Sequence, residues 1–315
     1  MVVRGREDGS DPDDIVGLAT AADEVGYREL WIGEGPTWDA FALATAVGLG
    51  TRSASLTVGP VPVSVRDPAT VSRGAASVAR LTGRNVGVAL GTASVRVVEK
   101  LHGRSRRRSV TDLGESARTI RSLMDTPVDR RHSGDPDAEF LRRLSAPRGQ
   151  LTVAAFGDRA IQVAADYADR MLLDLVTPEQ VRHLRSKLET AAGSQDPPKL
   201  AAWLPAIVEP SAEAIQQVMA HIAGYLTIGG YREMFIAAGF GEAVAKAESG
   251  AEVGELIEAL PVEAPAIVGL VGSKSDIETR LHAYGRAGLD EIAIVPASTD
   301  EPTAEKTLRA FRFLL

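Results

Sequence analysis

The chain has 315 residues, a formal net charge of −7 and 44% hydrophobic residues, so it is long enough to bury a large core in one or two domains. The absence of cysteine excludes disulfides, thiolate zinc sites, iron–sulfur clusters and cysteine nucleophiles. The acidic balance disfavours nucleic-acid binding, and without a signal-peptide core or a membrane-length apolar run we expect a cytoplasmic protein that does not bind membranes.

Short apolar strands alternate with helices along the whole chain. The strands are predicted near residues 3, 31, 57, 88, 153, 172, 204 and 293. The helices between them are predicted to open at Asp39, Asp67, Asp158, Thr177, Ser211, Ser273 and Thr303, with two more over about 13–25 and 110–124. Eight such units predict an α/β fold, a (β/α)8 TIM barrel. A doubly wound open sheet is the alternative, but its G-x-G-x-x-G fingerprint is missing.

Two long stretches interrupt this alternation. They follow the fourth and seventh strands and cover about 93–150 and 223–270. Loops of such length in a compact domain are functional lids or disordered segments, and a partly disordered lid is favoured here. We therefore expect one domain over residues 1–315 with insertions after strands 4 and 7. The first insertion carries four arginines in residues 104–108, which could be a solvated loop or a docking point for an anion.

The second predicted helix, residues 39–50, has almost no polar face. An outer helix of a barrel normally exposes a polar side to water, so another surface is expected to cover this one. A two-fold homodimer through the second and third predicted helices is the simplest such cover.

Five short segments form an ordered set that is more specific than any one of them. They are Trp31-Ile32-Gly33-Glu34, Val58-Gly59-Pro60-Val61, Arg66-Asp67-Pro68, Leu81-Thr82-Gly83-Arg84 and Leu90-Gly91-Thr92-Ala93-Ser94. In this order they resemble the bacterial luciferase-like flavin and deazaflavin oxidoreductases. Residues 168–179 look like the sixth strand of members that use the deazaflavin coenzyme F420, and 287–291 like the start of their last strand. The similarity fades in 104–150 and 240–265.

The resemblance implies that a flavin or deazaflavin ring lies across the strand ends, against a bulge at the end of the third strand. Family members often have a cis peptide bond at this bulge. The matching bond here is Gly59–Pro60, followed by Val61, and proline makes the cis form less costly. A trans proline at the edge of the strand is the alternative.

Small residues at two further strand ends match family positions that line the ring and the phosphate side. They are Gly91, Thr92, Ala93 and Ser94 after the fourth strand, and Ala155, Phe156 and Gly157 after the fifth. Small residues and helix starts let backbone N–H groups approach an anion, although tight turns alone would also explain them. Lys100 could reach the cofactor phosphate or belong to a solvated helix face. The resemblance implies that the arginine cluster could attract the phosphodiester and glutamate tail of F420.

Two carboxylates are the candidates for proton transfer. Glu34 stands where the family usually has an acid followed by histidine, but the next residue here is Gly35, and Val97 occupies an asparagine position. Glu34 and Asp174 therefore remain as polar groups at the strand ends, where each could move a proton or pair with an arginine. Trp38 and Tyr231 are expected to line a substrate pocket, although core packing is the alternative for the tyrosine.

The resemblance implies an oxidoreductase that transfers a hydride between coenzyme F420 and a small organic substrate, with no metal site. One alternative is an FMN-dependent monooxygenase that receives reduced flavin from a separate reductase. Another is a luciferase-like barrel that has lost cofactor chemistry, because the histidine and asparagine are missing and Phe156 could occupy the place of the ring.

Overall fold

Parallel strands build one curled sheet in the computed structural model, which describes residues 1–3, 12–125, 147–297 and 304–314. The strands in these ranges are β1 (Val2–Val3), β2 (Glu29–Ile32), β3 (Ser55–Pro62), β4 (Val86–Gly91), β5 (Leu151–Ala154), β6 (Arg170–Asp174), β7 (Lys199–Val208), β8 (Leu270–Gly272) and β9 (Glu291–Pro296). Each strand from β1 to β7 pairs with the next, β9 pairs with β7, and β9 also contacts β1. The predicted TIM barrel is confirmed.

The sequence prediction missed β8. This three-residue strand pairs with the last residues of β7, from Ala206 to Val208, whereas β9 pairs with β7 from Ala201 to Ala206. The predicted strand near residue 293 is β9. A strand this short gives no readable alternation, because a period of two residues needs more than three positions to be recognised.

Helices follow nearly every strand. They are α1 (Pro12–Val25), α2 (Ala40–Gly50), α3 (Pro68–Thr82), α4 (Ser109–Asp125), α5 (Asp158–Tyr167), α6 (Pro178–Ala192), α7 (Ala212–Ala223), α8 (Tyr231–Ala237), α9 (Gly241–Glu248), α10 (Val253–Ala259), α11 (Ala264–Ile267), α12 (Lys274–Arg286) and α13 (Glu305–Ala310). A π-helix covers Arg96–Leu101 and a 3-10 turn covers Arg312–Leu314. Within the described ranges, no helix is both long and apolar enough to cross a bilayer.

Most of the predicted helix caps are confirmed. The side chains that accept hydrogen bonds from the first turn are Asp39, Asp67, Thr177, Ser211 and Ser273. Helix α5 begins at Asp158 as predicted, but Gly157 is its N-cap, and the Asp158 carboxylate binds Lys187 at 2.7 Å rather than capping the helix. Thr303 lies outside the described residues.

The two stretches that interrupt the alternation contain regular structure that the sequence prediction did not resolve. The first begins with the π-helix, and its residues 126–146, where the predicted lid would continue, lie outside the described part of the chain. The second contains α8 to α11 and ends at β8.

A charged cluster fills the barrel near the N-terminal ends of its strands. Arg170 is only 2% exposed, and the described residues engage all five of its N–H donors. The acceptors are the carboxylates of Glu29 and Glu291 and the hydroxyls of Thr57 and Thr152. The guanidinium also lies 4.4 Å from the centre of a Trp31 ring. Because all five N–H donors of Arg170 are engaged within the protein, we assign this cluster a structural role.

Candidate active site

The C-terminal ends of β2 to β6 surround a common space, which we call the barrel mouth. The pairing of β3 with β4 shifts register between Val58 and Val61, so a bulge forms at Gly59. Gly59 has φ +118, and a Cβ there would overlap the Ala89 carbonyl oxygen. The Gly59–Pro60 bond is cis, as the resemblance implied. The bulge therefore requires glycine and presents Pro60 at the strand end.

Small residues form one wall of the barrel mouth. A Cβ on Gly91 would lie 3.2 Å from the Pro60 Cβ and 3.8 Å from the Ala154 Cβ. Any larger side chain at Gly91 would occupy the space beside Pro60. The glycine keeps this wall flat, and a flat apolar wall is suited to a planar ring.

A cation is fixed at the end of β4. The Arg106 Nε donates to the Ala93 carbonyl oxygen at 2.8 Å, and its Nη2 donates to the Thr92 hydroxyl at 3.0 Å. The Ser94 hydroxyl accepts from the Val97 N–H at 3.2 Å, in the first turn of the π-helix. Within the arginine cluster, Arg108 instead pairs with Glu115 at 3.0 Å. Arg106 is thus the member of the cluster that the structure brings to a strand end.

Three residues predicted to bind the cofactor have side chains that lie outside the barrel mouth. Val61 and Ala155 are buried in the layer between the sheet and the helices, so any contact with a ligand in the barrel mouth would come from their backbone. Lys100 is exposed on the π-helix, as the alternative interpretation had it. Gly157 is exposed at the start of α5.

An aromatic group covers the ends of β5 and β6. The Phe156 and Tyr231 rings lie 4.6 Å apart, and Tyr225 is 4.9 Å from Tyr231. The Tyr231 hydroxyl donates to the Asp174 Oδ2 at 3.3 Å. The segment between α7 and α8, together with the first residue of α8, therefore lies over this side of the barrel mouth.

The other predicted catalytic carboxylate is held in an ion pair. Glu34 accepts from the Arg66 Nε at 2.8 Å and Nη2 at 2.6 Å, and also from the Ala40 N–H. Arg66 in turn binds Asp39 at 2.6 Å. Burial lowers the pKa of Arg66, but its hydrogen bonds to Asp39 and Glu34 outweigh burial and raise it. Trp38 is half-buried and packs against the core.

Sequence reasoning missed the partners rather than the strand-end carboxylates. Arg66 belongs to one of the five segments that resemble the family, and Arg106 belongs to the arginine cluster. Sequence spacing could not identify the acceptor of either residue. Tyr231 and Asp174 are 57 residues apart, and no spacing rule links them. In the part of the chain that the structure describes, no group of three His, Asp or Glu side chains could hold a metal ion.

Solved structures of similar fold include enzymes of both cofactor classes. An F420-dependent secondary alcohol dehydrogenase in complex with an F420–acetone adduct is 17% identical, covers 100% of this chain and 96% of its own, and has a TM-score of 0.76. The coenzyme F420-dependent tetrahydromethanopterin reductase from Methanopyrus kandleri is 14% identical, with a TM-score of 0.75. The match covers 99% of this chain and 96% of the reductase. The FMN-bound oxygenating constituent of 3,6-diketocamphane monooxygenase from Pseudomonas putida is 14% identical, with a TM-score of 0.66. The match covers 98% of this chain and 94% of the monooxygenase chain. At these identities the likeness shows the fold.

The family assignment comes from the sequence itself. No curated protein matches the chain at a significant level. The sequence profile of the luciferase-like monooxygenases matches residues 2–291, which is most of the chain. The protein therefore belongs to the luciferase-like monooxygenase family, as its ordered strand-end segments indicated.

Proposed function

We propose that this protein is an oxidoreductase that transfers a hydride between coenzyme F420 and a small organic substrate in the barrel mouth. The observation that carries the proposal is Arg106, a half-buried cation fixed at the end of β4 beside a wall of small residues. A planar ring next to Gly91 and an anionic tail next to Arg106 would fit these residues. Family membership supports oxidoreductase chemistry of this kind.

Arg106 has donors available for an anion. Two of its five N–H groups bind Ala93 and Thr92 in the structure described. An arginine held by its own neighbours is already ordered, so it loses little conformational entropy when it binds a phosphate. A fixed, partly buried cation binds a phosphodiester more strongly than a solvated lysine such as Lys100 would.

Each group in the barrel mouth has a distinct role in this proposal. Pro60, Gly91 and Ala154 would hold the ring, and the bound deazaflavin would donate or accept the hydride. Phe156 and Tyr231 would close the β5–β6 side and exclude water. The Arg66–Glu34 pair would hold the β2 end in place.

We expect Arg106→Gln to weaken F420 binding by roughly 10- to 100-fold, because a charge-assisted hydrogen bond contributes about 1.5–3 kcal/mol. Arg107→Gln is the matched control, since it removes the same charge from an exposed neighbour in the cluster. Fluorescence titration at several salt concentrations measures both effects. The wild-type affinity should fall with salt more steeply than that of Arg106→Gln. If both variants weaken F420 binding equally, Arg106 makes no specific contact with the cofactor.

FMN is the second candidate cofactor. The start of α5 favours it, because Gly157 is an exposed N-cap without a side-chain hydrogen bond, and helix N–H groups bind phosphate monoesters. Asp158 in the first turn opposes an anion there, although Lys187 pairs with it. Tight FMN binding with weak F420 binding would change the proposal to a monooxygenase. Binding of neither would support the barrel without cofactor chemistry.

We also propose a homodimer through α2 and α3. Leu49 at the end of α2 is 67% exposed and Leu81 near the end of α3 is 65% exposed. The outer face of α2 carries apolar residues, including Ala42 and Ala46, that water does not solvate well. Sedimentation velocity of the purified protein should give a dimer, which Leu81→Glu should dissociate. A wild-type monomer at micromolar concentration would contradict the proposal.

A further inference from the structure

We propose that Tyr231, positioned by Asp174, donates a proton to the carbonyl oxygen of a small ketone or aldehyde substrate. This inference rests on the proposed function and adds the substrate class and the acid. The family position for a histidine after β2 is occupied here by Gly35, so another group has to move the proton. The Tyr231–Asp174 pair lies at a different strand end.

The first support is the geometry of the pair. Asp174 is the last residue of β6 and only 6% exposed, and Tyr231 is the first residue of α8. Their oxygens lie 3.3 Å apart, which is long for a hydroxyl–carboxylate hydrogen bond. Hydrogen bonds at catalytic sites often shorten only when the substrate is bound.

The second support is how firmly the phenol ring is placed. Phe156 packs against one side of Tyr231 at 4.6 Å, and Tyr225 packs at 4.9 Å. Gly230 precedes Tyr231 with φ +94, and a Cβ there would lie 3.2 Å from the Phe156 Cβ. Glycine at this position therefore lets α8 begin close to the end of β5. The ring contacts direct the hydroxyl toward β6.

The third support is the state of the other carboxylate. Glu34 accepts three hydrogen bonds, two of them from Arg66. An ion-paired carboxylate is an acceptor only, so it has no proton to give. Of the two predicted catalytic carboxylates, Asp174 is the one that accepts from a phenol hydroxyl, whereas Glu34 accepts from a guanidinium that keeps its protons.

The reaction balances with the reductant that the proposed function names. The carbonyl carbon receives the hydride, with two electrons, from the reduced deazaflavin, and the C=O π electrons move to the oxygen. That oxygen takes the proton of the Tyr231 hydroxyl and becomes an alcohol. The phenolate then takes a proton from water, which leaves hydroxide for the solvent to neutralise, and the restored hydroxyl again donates to the Asp174 carboxylate. The deazaflavin is oxidised and the carbonyl compound is reduced.

A titration without cofactor tests the pairing. The chain has five tyrosines, so 13Cζ-labelled tyrosine gives few signals, and Tyr231→Phe identifies the one from Tyr231. The Tyr231 phenol should ionise at a pH at least about one unit higher in the wild type than in Asp174→Asn, because a neighbouring carboxylate disfavours the phenolate. Identical midpoints would overturn the pairing.

Other titratable groups near Tyr231 need a control. Tyr225 contacts it, and His221 lies 4.9 Å from Tyr225. On α8 itself, Arg232 binds Glu248 and lies 3.7 Å from Glu233. His221→Gln should leave the Tyr231 midpoint near the wild-type value. A shift as large as that of Asp174→Asn would assign the effect to the histidine and overturn the proposal.

A ketone probe tests the substrate class. Cyclohexanone should shift the Tyr231 13Cζ signal of the wild type, whereas methylcyclohexane, which has no acceptor, should not. Absence of any shift with cyclohexanone and with acetone would overturn the proposed role. F420 titration of the same sample is read separately. If F420 does not bind but cyclohexanone still shifts the Tyr231 signal, only the proposed function is contradicted. If F420 binds but no ketone shifts that signal, only the role of Tyr231 is contradicted.

Discussion

Arg170→Met should lower the free energy of unfolding by about 3–5 kcal/mol at neutral pH, the range measured when one partner of a buried ion pair is removed. Arg170 donates to both Glu29 oxygens at 2.7 Å and to Glu291 at 3.0 Å. Methionine would fill much of the volume but would leave Glu29 without its guanidinium partner, while Glu291 would keep Lys199 at 2.8 Å. The penalty is therefore mainly electrostatic rather than the cost of a cavity.

Urea unfolding measures the change, with Arg52→Met as the matched control. Arg52 is 83% exposed on its side chain and lies 3.6 Å from Glu24, so its loss should cost about 1 kcal/mol or less. Adding Glu29→Gln to Arg170→Met should recover part of the loss, because it removes one uncompensated charge. A loss under 1 kcal/mol for Arg170→Met would contradict the account of this cluster.

The same variant should change how stability depends on pH. Burial raises the pKa of Glu29, but hydrogen bonds and charge from Arg170 outweigh burial and hold the pKa below its usual 4.5. A lowered folded-state pKa contributes stability above the unfolded value, and this is lost as the pH falls through the folded value. In Arg170→Met the contribution is absent, so stability should fall less steeply on acidification below about pH 5.

Gly59→Ala should destabilise the protein by at least about 3 kcal/mol and abolish cofactor binding. The residue has φ +118, and its Cβ would meet the Ala89 carbonyl oxygen and lie 2.6 Å from the Val61 nitrogen. Both obstacles are backbone atoms of paired strands, so neither can move without breaking the β3–β4 pairing. The bulge that presents Pro60 to the barrel mouth would be lost with it.

Gly83→Ala is the matched control for the backbone conformation. Gly83 also has a positive φ, +70, but nothing lies within 4 Å of its Cβ position. Its substitution should therefore cost only about 1 kcal/mol, from left-handed strain alone, and leave cofactor binding intact. Thermal unfolding and fluorescence titration of the two variants separate strain from overlap. Equal losses would mean that the close approach at Gly59 has no effect of its own.

The barrel could be predicted because its signals are local. Asp39 and Asp67 cap helices within three residues of themselves, and β4 is a continuous run of apolar residues and glycines. The family resemblance also arose from strand ends, where short segments are diagnostic as an ordered set. The cis Gly59–Pro60 bond followed from that resemblance rather than from spacing.

The site partners could not be predicted because they depend on closure of the barrel. Arg170 meets Glu29 across 141 residues and Glu291 across 121. Arg66 reaches Glu34 across 32 residues. Such pairs are set by strand register and by which side chains face inward, and sequence spacing carries neither. Val61 and Ala155 also show that a resemblance in sequence does not determine which way a side chain faces. Each belongs to a segment that matches the family, but its side chain faces the helices.

Parallel calorimetric titration of the wild-type protein with F420 and with FMN is the most direct test of the central claim. F420 should bind at least about 10-fold more tightly than FMN, a difference of about 1.4 kcal/mol, and this preference should shrink as salt is added. FMN binding equal to or tighter than F420 binding, or binding of neither, would contradict the assignment of a deazaflavin to the barrel mouth.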